Sequence, residues 1–269
     1  EVQVYESDCR NTYQPWGGMY YDRGFALTMS GAASFNNKAA FAPVPSSGAG
    51  IGGSMARFTL SGNHLYALDA NNLDIVDVTN ATNPVAKKEF SLSWDVETLF
   101  PNSTNLFVGS RSGMYILDLK APEEPTIISK YDHIRSCDPV VIEGDNAFVT
   151  LRSGSTCEGF TNQLEVIDIT DLKTPAIIAV YPMTNPNGLG IDAGTLFICD
   201  GADGLKVYDA TDVTTISQNQ LAHYSTVQAL DIIPYQHVAM MIGEDGLYQY
   251  DYSNIKDIKL LSQLPIVKE

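Results

Sequence analysis

The sequence predicts an all-β chain, a β-propeller of four-stranded blades with five blades favoured. Three observations lead there. A phrase that ends an apolar strand on Asp recurs, at Asp77, Asp118, Asp168, Asp209 and Asp251, with spacings of 41, 50, 41 and 42 residues. A period of about 40–45 residues is the mark of a repeat architecture. Each period also holds four short extended stretches rich in β-branched and aromatic residues, and none holds a helical period.

Residues 135–183 serve as the model unit. DPVVIEG and NAFVTLR flank a Gly-Asp-Asn turn and read as a hairpin, QLEVIDIT alternates again, and TPAIIAVYPM is a fourth extended stretch. The other units follow the same plan: ARFTLSG, HLYALDA, LDIVDVT and PVAKKEF; ETLFP, NLFVGS, GMYILDL and PTIISKY; GLGIDAG, TLFICDG, GLKVYDA and SQNQLAHY; VQALDII, HVAMMIG, GLYQYDY and KLLSQLP. The five repeats span approximately 53–93, 94–134, 135–183, 184–225 and 226–267. The repeated Asp sits where the third strand turns toward the fourth. There its carboxylate accepts backbone N–H bonds, as in Asx-turns, so the role expected of all five is structural. Pro84, Pro125 and Pro175 then open an outer, edge-like strand, where a missing N–H is tolerated.

Residues 1–52 break the period. They read as an irregular N-terminal segment that lends a strand to close the ring or packs across it, or as a degenerate sixth blade. Its aromatic residues Tyr13, Trp16, Tyr20 and Tyr21 either cover core edges or stack on a sugar ring.

At 269 residues with 32 acidic against 16 basic residues, the chain carries a net charge of −16. That field disfavours nucleic acid and anionic membrane surfaces as partners. No run of 18 apolar residues spans a membrane. The chain opens on Glu1 with neither an initiator Met nor a signal peptide, which reads as a mature or a trimmed chain and is compatible with a targeting segment having been removed. The four cysteines are Cys9, Cys137, Cys157 and Cys199, and no CxxC pair suggests zinc. The hairpin between Cys137 and Cys157 returns the chain close to its start, so a Cys137–Cys157 disulfide is expected, in keeping with an oxidising compartment. Cys199, inside LFICD, reads as a buried thiol.

The stretches IVDVT, ILDLK, VIDIT and VYDAT, with the trailing Pro, resemble the LVIVD-repeat propellers. GSMARF, VETLFP, VGSRSGMYILD, CDPVVIEGDNAFVTLRSG and NGLGIDAGTLFICDGADGLKVYDATD are similar to one branch of that family. The resemblance covers residues 52–252 and weakens in the fourth and fifth repeats, which lack the Pro. It implies a secreted or cell-surface bacterial lipoprotein, tethered by a lipidated Cys upstream of Glu1, and it says little about function.

The strand order defines two faces. First strands begin, and second strands end, on one face, here called the top; the Asp turns lie on the bottom. Each first strand opens with a polar residue: Arg57, Glu97, Asp138, Asn187 and Gln228. A ring of five different polar groups around a channel reads either as a wet mouth with paired charges, such as Arg57 with Glu97 or Asp138, or as a small polar pocket. Loops between second and third strands add Asp69, Arg111, Arg152, Asp200, Asp203, Glu244 and Asp245. DGADG lacks the full calcium-loop pattern, and the four His (His64, His133, His223 and His237) form no HExxH motif, so no metal or cofactor is expected. The expected ligand-binding set is therefore Arg57, Glu97, Asp138, Asn187, Gln228, Arg111 and Arg152. Two carboxylates, Glu97 and Asp138, are weak candidates for a glycosidase-like acid/base pair, and an ion network is the plainer reading. Function then divides three ways: a non-enzymatic binding or scaffolding module for an unknown glycan or small molecule; a glycan-acting hydrolase using Glu97 and Asp138; or an adhesion or assembly protein that meets an envelope protein through an aromatic patch near Trp16.

Overall fold

The structure is a computed structural model, and it describes residues 52–69, 71–93, 95–132, 139–154 and 161–266. The N-terminal aromatic residues, Cys9, Asp138 and the Cys137–Cys157 pair lie outside them.

Five antiparallel sheets follow one another along the chain, each in sequential strand order. Blade 1 contains β1 (Phe58–Ser61), β2 (His64–Asp69), β3 (Asn72–Asp77) and an outer strand in two pieces, β4 (Val85–Ala86) and β5 (Phe90–Ser91). Blade 2 is β6 (Val96–Asn102), β7 (Asn105–Ser110), β8 (Gly113–Asp118) and β9 (Thr126–Asp132). Blade 3 is β10 (Val140–Glu143), β11 (Asn146–Leu151), β12 (Gln163–Asp168) and β13 (Ala176–Pro182). Blade 4 is β14 (Leu189–Asp192), β15 (Thr195–Cys199), β16 (Leu205–Asp209) and β17 (Gln220–Tyr224). Blade 5 is β18 (Ala229–Tyr235), β19 (Val238–Gly243), β20 (Gly246–Asp251) and β21 (Lys259–Pro265). The fold is a five-bladed β-propeller, with the first strand of each blade innermost.

Each repeated Asp is the last residue of a third strand, and each carboxylate accepts the backbone N–H two residues on. The donors are Thr79 (2.9 Å), Lys120 (2.8 Å), Thr170 (2.8 Å), Thr211 (3.0 Å) and Ser253 (2.8 Å). The same local bond is made five times because five strands must leave their sheets in the same way. Just before this turn the pairing of third with outer strand slips by one residue in blades 2, 3, 4 and 5. Such bulges add twist to an edge strand.

Two outer strands differ from the sequence reading. PVAKKEF is not one strand: it pairs with β3 at Val85–Ala86 and again at Phe90–Ser91, and breaks between them. The break coincides with the bulge position of the other blades, and there Lys87 turns to ion-pair with Asp77 and Glu123. In SQNQLAHY, residues Ile216–Gln218 form a 3-10 turn before β17 begins at Gln220. Blade 4 lacks the Pro that opens the outer strand in blades 1–3, and Ile216 is buried in the core between blades 3 and 4.

The apolar face of each strand meets the next blade. Four buried clusters result: Tyr66, Leu73 and Ile75 with Leu99, Leu106 and Val108 between blades 1 and 2; Phe107 and Ile116 with Val140 and Val149 between blades 2 and 3; Val141 and Phe148 with Leu189 and Leu196 between blades 3 and 4; Phe197 and Val207 with Ile232 and Met241 between blades 4 and 5. Among the described residues no such cluster joins blade 5 to blade 1.

Candidate functional site

The segment before β1 runs across the axis of the ring rather than around it. The Ala56 carbonyl accepts the Leu99 N–H of blade 2 (2.8 Å). Ser54 Oγ accepts the Leu189 N–H of blade 4 (2.8 Å) and donates to Asp231 Oδ1 of blade 5 (3.1 Å). Two glycines make room for Asp231. A Cβ on Gly53 would stand 2.2 Å from its Oδ2, and one on Gly188 would stand 2.1 Å from its Oδ1. Burial raises the Asp231 carboxyl to about pH 6, against the hydrogen bonds from Ile232, Ser54 and Met55 that favour its ionised form.

On the top side of this crossing lies a cavity of about 190 Å3. Its polar lining is Arg57, Glu97, Thr98, Arg152 and Asn187, and its apolar lining is Met55, Pro139 and Pro186. The strand register explains the convergence. Arg57 precedes β1, Glu97 is the second residue of β6, Arg152 follows β11, and Asn187 stands two residues before β14. Four blades thus place a polar side chain at one spot because inner strands start there and second strands end there.

The groups are held in different ways. Glu97 Oε1 accepts from Arg111 Nε at 2.8 Å, so its partner comes from the β7–β8 turn of its own blade and not from Arg57 as the sequence suggested. Arg152 Nη1 donates to Asn187 Oδ1. Asn187 is buried; its amide donates to the carbonyls of Asn185 (3.2 Å) and Ala229 (3.4 Å), and its own carbonyl accepts from Thr150 Oγ1 (2.7 Å). Arg57 is exposed, and its guanidinium bonds no group among the described residues.

The expected ring is therefore brought together in part. Arg57, Glu97, Asn187 and Arg152 line one cavity, with Arg111 behind Glu97. Asp138 falls outside the described residues. Gln228 does not join: it is exposed ahead of β18, with its amide nitrogen toward the Glu244 carboxylate at 3.1 Å. A register shift between Ala229 and Asp231 lies just beyond it, and Asp231 is the polar residue of blade 5 that reaches the axial segment. Sequence reading missed Met55, Thr98, Ser54 and Asp231. The signals for the last two were a carboxylate inside the apolar run ALDII and the small residues of GGSMARF and NGLGID, which permit close approach.

Other acidic positions are absorbed by folding. Asp200, fully buried, accepts from Lys206 Nζ (2.6 Å) and from the N–H groups of Asn185 (2.6 Å) and Thr184 (3.1 Å). Asp203 pairs with the same Lys206 (2.5 Å), which with Thr184 holds its carboxyl below the usual range. The DGADG acids therefore already enclose a cation of the chain. On the bottom, His64, Asp77 and Glu123 bring one ligand atom each within 4.8 Å of one another. The Lys87 ammonium stands beside them, 2.8 Å from Glu123 and 3.4 Å from Asp77, and supplies the positive charge a metal would bring. Cys199 is buried and free, and burial pushes its thiol well up, which disfavours the thiolate.

Comparison with known proteins bears on the fold. The family model of the LVIVD repeat matches residues 52–91, the stretch that builds blade 1. With its five blades, the chain is consistent with an LVIVD-repeat propeller. A search of the curated proteins finds no match. Among solved structures, the chain is similar to AztD from Citrobacter koseri, at 11% identity and a TM-score of 0.57, with 76% of this chain and 61% of that one covered. It is similar to the periplasmic gluconolactonase PpgL of Pseudomonas aeruginosa, at 11% identity and a TM-score of 0.58, covering 76% and 68%. A protein from Lactobacillus plantarum gives 12% identity and a TM-score of 0.56, covering 76% and 68%. The chain thus spans about three-fifths of AztD. At such identities the likeness is one of fold, and propellers host many unrelated functions. Among the described residues, no helix is long and apolar enough to cross a membrane.

Proposed function

We propose that this chain is a non-enzymatic binding module whose ligand site is the cavity at the top of the ring axis, and that it works outside the cytoplasm, anchored by a lipid upstream of Glu1. One observation carries the binding reading: polar side chains from four blades converge on one cavity, although no shared folding need calls for Arg, Glu, Arg and Asn there. The Asp turns show the contrast, since a folding need repeats one residue five times. The volume is below the roughly 300–1,000 Å3 of pockets for drug-sized ligands, which favours a small molecule or the end of a larger one. The sequence resemblance and the periplasmic neighbour both support the location.

The arrangement at Glu97 weighs against a glycan hydrolase. Glu97 Oε1 already accepts from a guanidinium at 2.8 Å, so that oxygen is engaged with the chain's own arginine and not with a glycosidic oxygen. The test is a thermal-shift panel of neutral glycans and peptidoglycan fragments on the wild-type chain and on Glu97→Gln. A binder shows a ligand-dependent shift that Glu97→Gln changes modestly, with no product formed by either protein. Product formed by wild type and abolished in Glu97→Gln makes the chain a hydrolase. A shift that no cavity substitution alters moves the site elsewhere.

A further inference from the structure

We propose that the ligand of the axial cavity is a small organic carboxylate that also carries hydroxyl groups, with Arg57 as its anchor. This rests on the reading of the cavity as a binding site and names what enters it. The placement of arginine carries the inference. Among the described residues there are three, Arg57, Arg111 and Arg152. Two line the cavity, the third is bonded to lining Glu97, and no lysine lines it. A chain of net charge −16 brings the three arginines of its described residues to one point. Where charge alone is wanted, as beside Asp200 or Glu123, the chain uses lysine. Arginine adds a planar fork of donors that matches a carboxylate edge to edge.

The lining sets the rest of the ligand. Arg57 bonds no described group, so its fork is available to a carboxylate. Arg152 is oriented by buried Asn187, which makes Asn187 a positioning residue. Glu97 gives Oε1 to Arg111, and its Oε2 has no partner among the described residues. It can accept a ligand hydroxyl, and it repels a second negative charge, which disfavours phosphate dianions. Met55, Pro139 and Pro186 offer apolar contact to a carbon skeleton.

The experiment is titration calorimetry of the full chain with lactate, tartrate and glucuronate, against glucose and inorganic phosphate. It is repeated on Arg57→Ala, Arg57→Lys and Glu97→Gln, with a melting curve of each variant to confirm folding. At least one hydroxy acid is expected to bind, more weakly as salt rises. Arg57→Ala should weaken it by about 10- to 100-fold, the value of a charge-assisted hydrogen bond, and Arg57→Lys should restore only part. Glucose bound as tightly as glucuronate, or phosphate bound best, sinks the carboxylate class; if Glu97→Gln still changes that binding, the cavity survives as the site. Carboxylate binding that no cavity variant alters overturns both the class and the site. No carboxylate bound at millimolar concentration sinks the class alone, since the neutral glycans of the panel above decide the site independently.

Discussion

The junctions between successive blades and the seam where blade 5 comes round to blade 1 are built on opposite principles. Each of the four junctions interleaves two apolar strand faces into a buried core. At the seam, no cluster of the described residues covers the strand faces turned away from those cores. Phe58 pairs across from Ala67 on the face of blade 1 opposite Tyr66, and it is 66% exposed. In blade 5, Ile242 and Leu264 lie on the face opposite Met241 and Tyr248 and are 52% and 67% exposed. What ties this side of the ring to its axis is polar and local: Ser54 between Leu189 N–H and the Asp231 carboxylate. The repeat supplies cohesion wherever blade n meets blade n+1. It cannot supply it where the series ends, and a non-repeating segment is used there.

The sharpest way to test this contrast is truncation on each side of it. Leu106 is fully buried between blades 1 and 2, and Leu106→Ala should cost about 2–5 kcal/mol, the transfer loss plus a cavity. Phe58→Ala removes a larger side chain, yet it should change stability by no more than about 0.5 kcal/mol. Denaturant unfolding of the two variants measures both, and a Phe58 effect as large as that of Leu106 would mean the seam is a core after all. Crowding tests the polar tie directly. The Cβ of Gly188→Ala would meet the Asp231 carboxylate at 2.1 Å and its Cα at 2.9 Å, so backbone must move. A loss of about 1–3 kcal/mol is expected. Gly62→Ala is the comparison: its Cβ meets nothing within 4 Å, although its φ of +57° adds local strain of its own.

Much of this was legible in the sequence, and what was not has a common cause. The blades announce themselves through repetition, because the strand alternation and the Asp turn recur at a fixed period and each copy corroborates the others. Arg57, Glu97 and Asn187 could be found by asking what differs at equivalent positions. That logic fails where the register slips. Gln228 was aligned with them by counting, but the irregularity after Ala229 turns it toward Glu244. Asp231 and Ser54 belong to no repeat, and their pairing across 177 residues leaves only a composition trace, a charge in an apolar run and small residues nearby. Lys87 was likewise read as part of a strand, since its partner Glu123 comes from the next blade.

The aspartates offer the finest test of the contrast, because those at the seam and those at the turns titrate in opposite directions. Asp231, partly buried, has its folded pKa raised from 3.8 to about 6. Its ionised form is disfavoured in the folded state, so between those values folding takes up a proton and stability rises as pH falls from 7 through 6 toward 4. Asp231→Asn keeps an acceptor for Ser54 and Ile232 and removes the charge. It should gain about 1–2 kcal/mol at pH 7, less than the full shift implies because water still reaches the group and the Met55 N–H loses an acceptor. The turn aspartates run the other way. Hydrogen bonds from Thr79 hold Asp77 down at about 2, and Asp118, Asp168, Asp209 and Asp251 are lowered by equivalent bonds. Their contribution is present above the unfolded value near 4 and is lost as pH falls through the folded one. Melting temperature against pH should therefore pass through a maximum between about 4 and 6 in the wild type. In Asp231→Asn the rise on mild acidification should vanish while the acid-side decline remains. In Asp168→Ala, one turn of five, the maximum should stay in place and the decline become slightly shallower. A wild-type profile flat from pH 7 to 5 would remove Asp231 as the charged tie of the seam, and an acid limb unchanged in Asp168→Ala would deny the repeated turn its part in stability.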